Sequence, residues 1–228
     1  MKTAMLSAAL VCAALVSLPA LAEDRRPGRY EVTITNTTKG QTFTPLLVAT
    51  HSARVQLFHA GGVASAALET LAESGDTGPA TGELLSAGRE VSDVETIPGL
   101  LGPGESATVV VRANSRAQRL TVAAMLIPTN DTFVALNAVR LPRKFGVFDA
   151  PAYDAGTEAN DQNCTNIPGP RCGGAASSAP AGSDEGFIHI GNGFHDLGTG
   201  DAQTGEILGP FTYDWRNPVA RVVVRRVR

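Results

Sequence analysis

An acidic stretch between positions 150 and 164 carries the densest set of chemically capable side chains in the sequence. Asp154, Glu158 and Asp161 fall within eight positions, and Gly156 lies among them. Carboxylates at this density repel one another unless they are solvated or neutralised by a cation. Calcium suits them, because it takes about six to eight oxygen ligands from carboxylates and irregular backbone. The residues alone leave two interpretations open, a calcium-binding loop and a solvated surface loop.

The other patterns that could do chemistry are weaker. His189 and His195 flank a glycine-rich turn, which could hold a transition metal or simply be a surface turn. The sequence contains no Gly-x-Ser-x-Gly elbow, His-Glu-x-x-His motif or glycine-rich phosphate loop. We therefore predict no catalytic residues and no enzyme. An exported hydrolase that uses Asp154, Glu158 or the histidine turn is the alternative, since paired carboxylates serve glycoside hydrolysis.

Short strands must position these residues. Alternating or β-branched runs separated by glycine and proline turns predict strands at 29–36, 43–50, 54–59, 106–112, 187–190 and 219–227. Two apolar runs, 119–128 and 133–141, predict a hairpin with Asp131 at its tip. Ser65 can cap a short helix over 65–72, and a further helical turn is expected near 83–86. The sequence thus predicts an all-β fold, an antiparallel β-sandwich with one or two short helices.

The first residues have the features of an export signal. Lys2 precedes an apolar run that ends in Ala20-Leu21-Ala22, which predicts a signal peptide over 1–22 and a domain over 23–228. We therefore expect a periplasmic or secreted protein. Cys164 and Cys172 are then the remaining cysteines, and in an exported chain a close pair most simply forms a disulfide.

The charge balance bears on partners. The chain has 19 Lys and Arg against 22 Asp and Glu, a net charge of −3, which argues against nucleic acid as a partner. The closing run from Arg221 to Arg228 contains four arginines. One interpretation of this run is a basic binding patch. We favour the other interpretation, in which the charges stop a terminal strand from pairing with other chains.

Four segments together resemble one family. Residues 30–36 with 43–45, residues 128–134, residues 153–158 and residues 214–221 are similar, in order and spacing, to segments of spondin domains. Asp-Ala-Gly-Thr-Glu after an upstream Asn-Asp-Thr-Phe is the most specific of these. Over roughly 29–228 the chain resembles a bacterial stand-alone spondin-domain protein related to the N-terminal region of F-spondin.

The resemblance implies a spondin/C2-like sandwich that binds Ca²⁺ through loops at one end. It assigns the side-chain ligands to Asp131, Asp154 and Glu158. Glu158 replaces the family aspartate, and Thr132 and Tyr153 replace family tryptophans, so the position of the ion and the packing of the loops are expected to differ. The Cys164–Cys172 loop resembles an elaboration of bacterial members.

The resemblance also implies a function, a monomeric binding or adhesion module whose ligand is an extracellular or envelope protein or polysaccharide. Contact with a membrane through C2-like loop tips is a further alternative. It would require exposed side chains near the ion, for which Phe133 and Tyr153 are the candidates.

Overall fold

Strands dominate the chain, as the alternating sequence predicts. The computed structural model describes residues 27–177, 184–201 and 205–227, so the predicted signal peptide lies outside the described residues. The strands are β1 (Gly28–Asn36), β2 (Thr42–Phe43), β3 (Leu46–His51), β4 (Val91–Ile97), β5 (Ser106–Ala113), β6 (Arg119–Ile127), β7 (Thr132–Arg140), β8 (Phe145–Ala150), β9 (Ala152–Asp154), β10 (His189–Ile190), β11 (Gly200–Asp201), β12 (Gly205–Glu206) and β13 (Ala220–Val227).

Three short α-helices accompany them: α1 (Ala66–Ser74), α2 (Gly78–Ser86) and α3 (Pro210–Tyr213). Single 3₁₀ turns form at Gly88–Glu90 and Pro170–Cys172. Ser65 caps α1 as predicted, because its hydroxyl accepts a hydrogen bond from the Leu68 amide at 3.3 Å. Within the described ranges, no helix has the length and apolar character needed to cross a membrane.

Two antiparallel sheets form the sandwich, which confirms the predicted fold class. One sheet has the strand order β5-β1-β13-β8. The other has the order β10-β9-β7-β6-β3-β4, with β2 paired to β6. Alternate residues of the first sheet, such as Val32, Ile34, Val222 and Val224, are fully buried against the second sheet. The period-2 pattern of the sequence therefore marks this core correctly.

The second sheet is covered on both faces. Leu47, Ala49 and Ala123 point away from the sandwich core and pack with Leu68 and Leu71 of α1. This second core explains why β3 and β6 are apolar without alternation: each is buried from both sides. Helix α1 thus lies beside β6 and β7, the two strands that the predicted Asp131 turn connects, and α2 packs against α1.

The predicted strand at 54–59 is wrong. Asn137 of β7 takes its backbone groups, accepting from the Leu57 amide at 3.2 Å and donating to the Phe58 carbonyl at 2.6 Å. The segment therefore runs as a loop into α1. Leu57 and Phe58 are buried in the second core, between the second sheet and the helices. Strands β4 and β8 were not predicted. β4 is mostly half buried, half of β8 is exposed, and both carry mixed polar and apolar residues.

Candidate metal centre

The predicted calcium ligands lie where three neighbouring strand ends meet. Asp131 is the last residue of the turn between β6 and β7, as the hairpin prediction requires. The next residue, Thr132, lies opposite Asp154 of β9, and Asp154 in turn lies opposite His189 of β10. Since opposed residues of antiparallel strands share a face, this register gathers side chains far apart in sequence at one end of the sheet.

Asp131 is completely buried and only half satisfied. Its Oδ2 atom accepts hydrogen bonds from the amides of Thr157 at 2.8 Å and Glu158 at 3.1 Å. These bonds hold the acidic stretch at 150–164, which we call the acidic loop, against the hairpin turn. Its Oδ1 atom is buried and has no hydrogen-bond partner among the described residues. Burial and the nearby Asp154 carboxylate raise the pKa of Asp131 to about 7.

Asp154 organises the loop that follows it. Its Oδ1 atom accepts from the Gly156 amide at 2.9 Å, and its Oδ2 atom accepts from the Asn160 side chain at 2.8 Å. The side chain is 2% exposed. Burial raises its pKa, although the hydrogen bonds from Asn160 and Gly156 and the nearby His189 partly oppose this effect.

Gly156 allows the loop to pack against the segment that contains His189. Its φ of +67° is in the left-handed region, and a Cβ atom there would lie 2.3 Å from the Phe187 carbonyl oxygen. The Gly186 amide also donates to the Gly156 carbonyl at 2.9 Å. A residue with a side chain would therefore push the two segments apart.

Glu158 lies near a further carboxylate, that of Glu73 on α1. It is 5% exposed, and its buried Oε2 atom has no hydrogen-bond partner in the described part of the chain. Burial, Glu73 of α1, Asp131 and Asp161 raise the pKa of Glu158 to about 8, and a hydrogen bond from Asn130 opposes them. Burial also raises the pKa of Glu73, which forms a hydrogen bond with the Thr157 side chain.

Asp161, the third acidic residue of the stretch, serves the loop itself. Its Oδ1 atom accepts from the Asn163 amide at 2.9 Å and from the Asn130 side chain at 3.2 Å. These hydrogen bonds connect the loop to the hairpin turn without a cation. The dense acidic sequence therefore divides into residues that contact the buried centre and one that braces the loop.

A histidine-containing group shares Asp154. Within the described ranges, the group of three whose ligand atoms all lie within 4.8 Å of one another is Asp154, Glu185 and His189, rather than the predicted trio. His189 Nδ1 lies 3.0 Å from the Ile190 carbonyl oxygen, which can only accept, so Nδ1 carries a proton. In neutral His189 the Nε2 lone pair therefore faces Asp154 Oδ1 at 3.6 Å. A cation between them would convert this repulsion into attraction.

His195, which the sequence pairs with His189, is not part of this group. It is exposed, and its backbone amide donates to Gln162 Oε1 at 2.6 Å. Of the two candidates for loop-tip contacts, Phe133 is fully buried and Tyr153 is half buried. The two rings pack against each other and against Phe58. The exposed apolar side chains that flank His189 are Phe187 and Ile190, which are 46% and 51% exposed.

Three polar residues of the centre were missed in the sequence. Asn160 lies in the acidic loop itself and could have been found as an oxygen or amide neighbour of Asp154. Glu185 stands only four positions before His189, so the pair was visible in the sequence but its proximity to Asp154 was not. Glu73 gives no signal, because helix packing alone brings it to the loop.

The predicted disulfide is confirmed, with the Cα atoms of Cys164 and Cys172 4.8 Å apart. It closes the chain segment that follows the acidic loop. Both cysteines pack partly buried against the sandwich core. Such a bond is typical of proteins in oxidising, extracellular compartments.

The comparisons with known proteins agree with the resemblance in the sequence. The Spondin_N family model matches residues 31–166. This match spans β1 through β9 and includes Asp131, Asp154 and Glu158, whereas His189 and Glu185 lie beyond it. The search of the curated proteins found no match.

Proposed function

Because the chain belongs to the spondin N-terminal domain family, we propose that it is an exported calcium-binding module that attaches to an extracellular or cell-envelope ligand. Calcium would join the hairpin turn to the acidic loop, with Asp131, Asp154 and Glu158 as ligands. The ligand of the module would be a protein or a polysaccharide. The disulfide and the family support the extracellular location.

The observation that carries the calcium proposal is the pair of buried, unsatisfied carboxylate oxygens. Asp131 Oδ1 and Glu158 Oε2 have no hydrogen-bond donor among the described residues. A buried ionised carboxylate is costly unless it is paired with a cation or fully hydrogen-bonded. Both are anionic oxygen donors, the type that Ca²⁺ prefers, so the residues fit this ion. A bound ion would supply the missing charge and hold the two segments together.

Asp154, Glu185 and His189 favour a second candidate, a transition metal such as Zn²⁺. An imidazole nitrogen with two carboxylates suits zinc better than calcium, which takes oxygen ligands. The hydrogen bond of His189 Nδ1 to a backbone carbonyl is the outer-shell contact that metal-binding histidines usually make. Since both arrangements use Asp154, the two ions would compete for one centre.

Thermal unfolding of the mature protein, residues 23–228, separates these alternatives. The protein is first stripped with a chelator and then titrated with Ca²⁺, Mg²⁺ or Zn²⁺, because binding to the native state raises the midpoint once the ion exceeds its dissociation constant. A calcium-selective rise that survives His189→Asn supports the oxygen site. A zinc-selective rise that His189→Asn abolishes would replace it, and His195→Asn serves as the matched control.

The ligand-binding part of the proposal needs its own test. Envelope and polysaccharide fractions are passed over immobilised protein in calcium and in chelator. Calcium-dependent retention supports a module that uses the ion to present its surface. Retention that is equal in both conditions would leave calcium with a purely stabilising role.

The hydrolase alternative gains no support from the cavity that the described residues form beside the centre. Carboxylates with raised pKa, such as Glu158, are typical of general acids. However, the cavity that adjoins Asn130 and Asn160 has a volume of about 10 Å³, which is room for about one water molecule. We therefore favour binding over catalysis, and assays with glycoside substrates would overturn this choice if Glu158→Gln abolished a measured activity.

A further inference from the structure

A cavity of about 960 Å³ opens at the end of the sandwich away from the acidic centre. Strand β8 begins just after Lys144 at this cavity and ends at Ala150, close to Asp154. The cavity is lined by five cationic side chains from β1, β5, the β7–β8 connection and β13: Arg29, Arg112, Arg143, Lys144 and Arg226. We call them the basic cluster. A protein of net negative charge thus gathers cations at one end and buried carboxylates at the other.

The register of the strands brings like charges together in the basic cluster. Arg29 of β1 lies directly opposite Arg112 of β5. Like charges in opposed positions of antiparallel strands destabilise the pair. Across residues 27–177, 184–201 and 205–227, no carboxylate lies within 4.0 Å of the charged groups of Arg29, Arg112, Arg143 or Lys144. These four side chains are exposed, so a ligand from solution can reach them.

Two acidic residues, Asp93 and Glu31, stand near the cavity but do not line it. Asp93 Oδ2 accepts a hydrogen bond from the backbone amide of Arg112 at 2.7 Å, rather than from its guanidinium group. Glu31 follows Arg29 on the same face of β1 and lies opposite Arg225 of β13. Among the described residues, the five cations that line the cavity therefore outnumber these two carboxylates.

The terminal arginines differ in their exposure. Arg226 lines the cavity and is half buried, and its guanidinium Nη2 donates to the Pro27 carbonyl at 3.4 Å. Arg221 and Arg225 are exposed on the outer face of the sheet, and Arg228 lies outside the described residues. The interpretation as a barrier to strand pairing is wrong, because β13 is paired on both sides, with β1 and with β8. Arg226 instead lines the cavity.

We propose that the basic cluster binds the phosphate monoester group of an extracellular ligand. Guanidinium groups pair with phosphate through two parallel hydrogen bonds. A phosphate monoester carries a charge of about −1.5 to −2 and three acceptor oxygens, so one group can neutralise both members of the Arg29–Arg112 pair. A carboxylate or a sulfate ester brings only one charge. The cavity is in the size range of organic ligand sites and exceeds what a lone phosphate ion needs.

Two sources could present this group, a soluble phosphorylated molecule and a lipid headgroup. The proposal does not depend on the metal centre, because none of its residues is shared with it. Glycerol phosphate serves as the soluble probe, and vesicles of phosphatidylcholine with or without phosphatidic acid serve as the lipid probe. Isothermal titration calorimetry and vesicle co-sedimentation measure the two interactions with the mature protein.

The decisive comparison uses two double variants that remove equal charge. Arg29→Gln/Arg112→Gln is expected to weaken binding of glycerol phosphate or phosphatidic acid vesicles at least tenfold. Arg216→Gln/Arg221→Gln removes two exposed arginines away from the cavity and is expected to change affinity less than threefold. Inorganic sulfate should bind more weakly than glycerol phosphate. Arg143→Gln, in the exposed connection before β8, provides a second variant if the strand pair alters folding.

Each outcome decides the matter. Binding of glycerol phosphate identifies a soluble ligand, and binding of the vesicles alone identifies a lipid surface. The proposal fails if neither probe binds to the native protein. It also fails if both double variants lose affinity equally, since general electrostatic attraction would then account for the binding.

Discussion

Replacing Asp131 with Asn tests the metal centre through the sign of its effect. The substitution keeps the shape of the side chain and an oxygen for the Thr157 and Glu158 amides, and it puts an NH₂ group in place of one carboxylate oxygen. It also removes a buried negative charge. We expect the variant to be more stable than the native protein in chelator at pH 8 and to respond far less to calcium.

The expected magnitude follows from the pKa of Asp131, which is raised from 3.8 to about 7. A group whose folded pKa is raised loses stability as pH rises from the unfolded value to the folded one, so at pH 8 the full cost is present. At about 1.4 kcal/mol per pKa unit, that cost is at most about 4 kcal/mol. Weaker hydrogen bonds from Thr157 and Glu158 to a neutral amide reduce the gain by about 1–2 kcal/mol.

The remaining gain of about 2 kcal/mol corresponds to a rise in Tm of about 4–8 °C for a domain of this size. Calcium at a hundred times its dissociation constant would stabilise the native protein by about 2.7 kcal/mol and the variant by much less. Differential scanning fluorimetry in chelator and in calcium measures both effects. Asp149→Asn removes the same charge at an exposed position and should shift Tm by less than about 2 °C in either condition.

The reasoning is refuted if Asp131→Asn lowers Tm equally in calcium and in chelator. That result would mean that the carboxylate acts as a structural hydrogen-bond acceptor for the acidic loop. The buried Oδ1 atom would then need another explanation.

Three further predictions concern the same end of the fold. In chelator, Tm should fall as pH rises from about 5 to about 8, because the raised pKa values of Glu158 and Asp131 make the folded protein bind more protons than the unfolded chain. The rise in Tm caused by calcium should grow over the same pH range. Gly156→Ala should destabilise the protein by about 2–3 kcal/mol and weaken calcium binding, whereas Gly82→Ala, with no atom near its Cβ, should be neutral or stabilising in denaturant titrations. Cys172→Ser opens a short loop and should cost about 2–3 kcal/mol in the same titrations under oxidising conditions.

Local sequence signals predicted the fold well where one interaction dominates. Alternation identified β1 and β13, the turn between two apolar runs identified the hairpin that carries Asp131, and Ser65 identified the start of α1. The strand prediction for residues 54–59 failed because the apolar residues of this segment pack into the core beneath the helices and do not pair with a neighbouring strand. Asn137, some 80 positions later, satisfies its backbone, and no local pattern contains that information.

The residues of the candidate centre could be predicted only in part from the sequence, for a similar reason. Acidic density and the family resemblance led to Asp131, Asp154 and Glu158, which the structure brings into electrostatic contact. His189 and Glu185 join Asp154 only through the pairing of β9 with β10. Tertiary pairing of two very short strands cannot be read from composition or spacing.

The position of β13 has a consequence for how the chain reaches its folded state. This strand comes last among the described strands but lies in the interior of its sheet, between β1 and β8. Arg29 pairs with Val227, almost 200 positions away, so the sheet cannot be completed until nearly the entire chain is available. This sheet can therefore be completed only after β13 has been synthesised. A fragment limited to the family-matched residues 31–166 would leave two open edges where β13 belongs, and we expect it to aggregate rather than fold.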